Sequence, residues 1–178
     1  MTCVLSTNLR YLVILLGAAL ILPGQQKKAA SLLTDADIKE FAPVAAEREV
    51  GELGGSTFIT VKVMKGDVFS HHLTVYLQTM PREIPAYPNY VKDMVTQTAE
   101  LAMPSDKPRK LPCTIPGSPA AACLDVNSPM GSFKEGQRMV KVLFGKNRSF
   151  VKIEMFRDFR ADADFATKLA AKIVARLP

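Results

Sequence analysis

The sequence predicts an α+β domain: an antiparallel sheet built from two hairpins plus short strands, with helices packed mainly on one face. Three stretches carry that expectation. From Arg138 to Phe156 two β-branched and aromatic runs flank the polar segment Gly145-Lys146-Asn147-Arg148, a hairpin signal. Ile59, Val61 and Val63 alternate with Thr60 and Lys62, and Leu73, Val75 and Leu77 alternate with His72, Thr74 and Tyr76, which gives a second hairpin. Finally, Phe165, Leu169, Ile173, Val174 and Leu177 recur at helical spacing behind Asp162 and Asp164, with Lys172 and Arg176 in the last turns.

The remaining elements follow in chain order. Thr34-Asp35-Ala36-Asp37 opens a helix as a capping-box variant, with Asp37 in place of Glu, and Pro43 ends it. Ile38, Phe41 and Ala45 form its apolar stripe. Three glycines between Gly51 and Gly55 read as a loop. A three-residue loop at Lys65-Gly66-Asp67 pairs Val63 with Phe69 and Ile59 with Leu73. Pro81, Pro85 and Pro88 make a stiff crossover. A helix then runs from about Pro88 to Met103, presenting Val91, Met94, Val95, Thr98, Leu101 and Ala102. Short strands fit Leu111–Ile115 and Ala121–Val126, and a loop fits Asn127–Gln137. A Lys146-Asn147 turn in the last hairpin pairs Val142 with Val151 and Val140 with Ile153. It sets Lys141 opposite Lys152, with Glu154 diagonal to Lys141. This order of elements resembles that of the small secreted α+β domains of the photosystem PsbP type.

With 178 residues, 48% of them apolar and 22% charged, the chain suits one domain with a real core. The first 24 residues, or up to 30, read as a signal peptide, and 31–178 as the single α+β domain. Arg10 precedes an apolar run from Tyr11 to Leu22, which breaks at Pro23-Gly24. That run is shorter than the roughly 20 residues of a bilayer span. Membrane contact is thus expected only through an uncleaved leader, an option kept open by Lys27 and Lys28. Export to a periplasm or the exterior implies an oxidising compartment. The two cysteines left after the leader, Cys113 and Cys123, then read as a disulfide worth about 3 kcal/mol.

The net charge of +6 favours anionic partners, yet the densest basic cluster is only Lys107-Pro-Arg109-Lys110. Nucleic acid is not expected, since the basic residues are scattered and the strands lack an aromatic pair for stacking. No phosphate-cradling glycine motif occurs, and no cofactor is called for. The two histidines, His71 and His72, are neighbours on a strand and so point to opposite faces, His71 inward and His72 outward. That spacing cannot chelate one metal, and no metal ligands are assigned. Ser118 in Pro-Gly-Ser-Pro reads as a turn residue, and the methionines as core. No catalytic residues are assigned; a hydrolase using His71 or His72 stands as the alternative from another class.

What remains is a surface. With helices over the apolar face, the other face carries Lys62, Tyr76, Lys141, Lys152 and Glu154 as candidate binding residues. Two facing lysines repel, so that face is expected to be wet or to hold an anion. The function expected is an exported small binding protein without catalysis, docking a protein partner or an anionic envelope component. An inhibitor or immunity protein that blocks an enzyme in the same compartment is a specific alternative. Oligomeric state is not encoded in any motif.

Overall fold

A computed structural model describes residues 30–81, 90–100, 108–127, 133, 136–157 and 159–178. The expected leader, apart from Ala30, and the crossover at 82–89 lie outside the described residues. A helical turn ending at Leu32 leads into α1 (Asp35–Phe41). Then come β1 (Glu47–Leu53), β2 (Ser56–Lys65), β3 (Val68–Thr79) and α2 (Tyr90–Glu100). The chain continues through β4 (Arg109–Leu111), β5 (Ala120–Asn127), β6 (Arg138–Lys146), β7 (Ser149–Phe156) and α3 (Phe159–Arg176). The strands form one antiparallel sheet in the order β1-β2-β3-β7-β6-β5-β4.

The short strand expected at Leu111–Ile115 lies instead at Arg109–Leu111, α3 begins at Phe159 ahead of the expected caps Asp162 and Asp164, and three further local expectations are corrected. Gly51–Gly55 is not a loop: it holds the end of β1 and a two-residue Gly54-Gly55 turn, with φ of 58° and 78°. β1 escaped notice because Glu47-Arg48-Glu49 and Glu52 have no apolar alternation, as befits a strand exposed at a sheet edge. Gly51 is tolerated inside it because the Phe58 ring of β2 lies across it; a Cβ there would meet that ring at 2.6 Å.

The β2–β3 hairpin turns on Gly66-Asp67 alone, with Gly66 at φ 63° and Lys65 facing Val68. A bulge then follows: Met64 faces Phe69 but Val63 faces His71, leaving Ser70 as the extra residue. Its hydroxyl donates to the Val63 carbonyl at 3.2 Å. Ile59 therefore faces Val75 rather than Leu73, a shift of two that keeps the apolar faces together. Phe69, beyond the bulge, changes face.

The last hairpin is also displaced by two. Its turn is Asn147-Arg148, with Asn147 at φ 50°, a left-handed conformation that asparagine tolerates. Val142 faces Ile153, Val140 faces Met155, and Lys141 faces Glu154 instead of Lys152. Opposite charges thus replace the expected like-charge pair.

Between the halves, β3 pairs with β7, setting Leu73 against Met155 and Val75 against Ile153. The resulting face buries Val61, Val75, Val142, Phe144 and Ile153 against Phe165, Leu169 and Ile173 of α3 and Phe41 of α1. Each such large side chain contributes roughly 1.5–3 kcal/mol by leaving water. The other face carries a second buried cluster toward β5, where Leu124, Met139, Leu143 and Phe150 pack with Val91 of α2. Cys113 and Cys123 form the expected disulfide, with a Cα–Cα distance of 5.7 Å, and tie the β4–β5 connection to that sheet.

Helix α1 is anchored by charge as well as by Phe41. The Thr34 hydroxyl and amide and the Asp37 carboxylate close a capping box. Asp37, 2% exposed, also receives Arg176 at 2.6 Å and Lys172 at 3.3 Å from α3. Burial alone would raise its pKa. The hydrogen bonds from Arg176 and Thr34, with the Arg176 charge, outweigh burial and bring the carboxyl down to about 2.

A carboxylate with a depressed folded pKa stabilises the fold above its unfolded pKa and stops doing so as pH falls through the folded value. A fall from 3.8 to about 2 amounts to roughly 2 kcal/mol, lost between about pH 4 and pH 2. Unfolding free energy measured against pH should show that loss. Asp37→Asn should remove the dependence in this window while lowering stability at neutral pH.

Candidate functional site

The strand pairings place the five expected binding residues on one face of four adjacent strands. Lys62 comes from β2, Tyr76 from β3, Lys152 and Glu154 from β7, and Lys141 from β6. They share that face because Tyr76 faces Lys152, Thr74 faces Glu154, and Glu154 faces Lys141 across consecutive ladders.

Glu154 is the centre. Its carboxylate, 14% exposed, accepts from Lys141 at 2.9 Å and from Lys152 at 3.2 Å. Burial would raise its pKa, but the two ammonium groups outweigh that and hold it below the usual carboxylate range. Lys152 also lies over the Tyr76 ring, 4.0 Å from its centroid. Burial, then the charge and hydrogen bond of Glu154, push the Tyr76 phenol up to about 12, so it donates and stays neutral. Beyond Tyr76 stands the Phe58 ring, at 6.0 Å. At the other end Lys62 pairs with Glu47 of β1 at 3.2 Å.

The face is thus less wet and less cationic than expected. Its lysines are 25–30% exposed and each is committed to a carboxylate. The repulsion foreseen between Lys141 and Lys152 is absorbed by Glu154 between them.

The two histidines lie on opposite faces. His71 faces the core, edge-on to Phe41 with centroids 6.0 Å apart, and its Nδ1 meets the Ser70 hydroxyl at 3.2 Å. His72 joins the candidate face between Phe69 and Phe133, with centroids at 5.0 and 5.1 Å. Its Nε2 bonds the Thr74 hydroxyl at 3.0 Å, and that hydroxyl bonds Thr60 at 3.0 Å. Its Nδ1 is buried without a hydrogen-bond partner among the described residues. A hydroxyl beside an imidazole is the first half of a nucleophile–base pair. Thr74 is only 2% exposed, however, so this pair lies beneath the surface of the face. Burial lowers the His72 pKa, Lys62 lowers it further, and Glu154 acts in the opposite sense. Among the described residues no three His, Cys, Asp or Glu side chains gather to hold a metal.

Sequence reasoning missed two features. The aromatic walls around His72 arise from the Ser70 bulge, which turns Phe69 over, and from Phe133, which falls in a stretch read as loop. Separately, a cavity of about 610 Å³ opens beside the β6–β7 turn and the end of α3, lined by Leu32, Leu77, Arg148, Arg176 and Leu177. Both guanidinium groups there are engaged, Arg148 with the Met80 carbonyl and Arg176 with Asp37 and the Leu32 carbonyl. No sequence signal joins these segments.

Compared with known proteins, the chain matches no family model and no curated sequence. Among the described residues no helix is long and apolar enough to cross a membrane.

Glu154→Ala should cost about 1–3 kcal/mol, because it leaves two half-buried ammonium groups and the Tyr76 hydroxyl without their acceptor. Chemical denaturation would measure it. A loss under about 0.5 kcal/mol, the level of an ordinary surface substitution, would mean that Glu154 does not organise this face.

Proposed function

We propose that the protein is a small exported binding module that docks a protein partner through the face formed by Lys62, Tyr76, Lys141, Lys152 and Glu154. The observation that carries this reading is the convergence of those residues around one acceptor. Glu154 holds Lys141, Lys152 and Tyr76 in place before any partner arrives, which reduces the ordering cost of binding. Helices α1 and α3 are read as the covering layer of the opposite face, leaving β2, β3, β7 and β6 to present the site.

Of the two partner classes, the charge arrangement favours a protein over an anionic envelope component. Two lysines share one carboxylate and Lys62 has its own, so little free positive charge is left for a polyanion. The half-buried rings of Tyr76 and Phe58 are of the aromatic type enriched at protein interfaces. Export is supported by the leader-like Tyr11–Leu22 run and by the Cys113–Cys123 disulfide, a bond that persists in oxidising compartments.

Affinity capture of the tagged protein from its own compartment tests the docking face. A partner held by the wild type should be lost from a Lys62→Glu/Tyr76→Ser variant and retained by a Lys39→Glu/Lys168→Glu control. Equal capture by both would remove this face as the site. Intact mass of chain recovered from the exporting host should show loss of about the first 24–30 residues, as leader cleavage requires. It should also lie two mass units below the dithiol form; two free thiols would defeat the export argument.

A further inference from the structure

The outer edge of β1 is exposed along its length, and nothing among the described residues pairs with it. Val50 is 39% and Leu53 67% exposed there. The opposite edge, β4, has only three residues, a common way of making an edge harmless. β1 has seven.

The direction of its free backbone groups follows from the turn. Leu53 and Ser56 flank the Gly54-Gly55 turn, so they exchange hydrogen bonds with each other. Bonded and non-bonded pairs alternate along an antiparallel ladder. Gly51, Glu49 and Glu47 therefore bond to β2, while Glu52, Val50 and Arg48 aim their amides and carbonyls outward. Those three residues also share one side-chain face, opposite Thr57, Ile59 and Val61 of β2.

Arg-x-Val-x-Glu is self-complementary in the antiparallel sense. About a twofold axis at Val50, each Arg48 faces Glu52 of the other copy and Val50 faces Val50. On the alternate face Glu49 meets Gly51 and Glu47 meets Leu53, so no like charges stand directly opposite. Charged residues on an edge usually keep strands apart; here their order brings a second copy into one register. Arg48 already contacts Asp35 of α1 at 3.2 Å, but Asp35 is 86% exposed and a guanidinium has donors to spare.

We propose that two copies of this chain associate through β1, antiparallel and centred on Val50, to continue the sheet across a twofold axis. The site is distinct from the face around Glu154 and does not depend on the proposed function. One strand edge buries little area beside the 1,200–2,000 Å² of a stable interface, so the dimer forms in a concentration-dependent way.

Sedimentation of the purified protein, as recovered from the exporting host, from about 5 to about 500 µM tests it, a range that brackets weak association. The wild type should move from monomer toward dimer mass. Val50→Pro removes an outward amide that β2 does not use, and should stay monomeric. Arg48→Glu and Glu52→Arg should each weaken association about ten-fold, because each creates two like-charge pairs per dimer. Combining them reverses both partners and should restore wild-type association to within about three-fold. Unchanged circular dichroism separates these effects from misfolding, and if the proline variant does not fold the charge swap decides alone. A wild type that is monomeric throughout, or a dimer indifferent to these substitutions, would overturn the proposal.

Discussion

The pairing of β3 with β7 is the contact on which the molecule depends. It sets Leu73, Val75 and Leu77 against Met155, Ile153 and Val151, all buried, and joins the N-terminal meander to the C-terminal hairpin. Without it each half is a narrow sheet with an apolar face open to water, which costs free energy in proportion to the area left exposed. With it the two stripes become one apolar surface, with α3 over β6 and β7 and Phe41 of α1 against His71 of β3. The same ladder, seen from the other side, sets Tyr76 beside Lys152 and Thr74 beside Glu154. Core and candidate site are therefore two faces of one register.

A second regularity concerns charge. Three buried or mostly buried carboxylates each hold two cations: Asp37 takes Arg176 and Lys172, Asp125 takes Arg109 and Arg138, and Glu154 takes Lys141 and Lys152. A carboxylate removed from water needs several donors to offset its desolvation. Each cluster fixes a junction: α1 to α3, β4 to β5 and β6, and β7 to β6. These clusters set six basic residues against three acidic ones, so among the described residues part of the net charge of +6 is engaged within the molecule.

Legibility tracked burial. Where one face of a strand is buried, as in β2, β3, β6 and β7, alternation identified the strand and the side of its residues, His71 and His72 included, though not of Phe69 beyond the Ser70 bulge. Where neither face is buried, as in β1, there was no pattern to read, and its glycines resembled a loop. Turn residues were identified approximately, but both hairpin registers came out two residues away. An even shift preserves the face of each residue outside the Ser70 bulge, Phe69 being the exception, so the grouping of Lys62, Tyr76, Lys141, Lys152 and Glu154 was recoverable while their partners were not.

The amino-acid sequence by itself determined the α+β class, the inward faces of the strands, the capped start of α1 and the Cys113–Cys123 pair, because each depends on residues near one another in the chain. Tertiary structure alone decided which hairpin meets which, that Glu154 lies between two lysines, and that Phe69 and Phe133 flank His72. Those outcomes turn on one bulge at Ser70 and on ladders between residues distant in the chain. Local periodicity carries no information about either, since a strand shows the face it buries and not the strand it will lie beside.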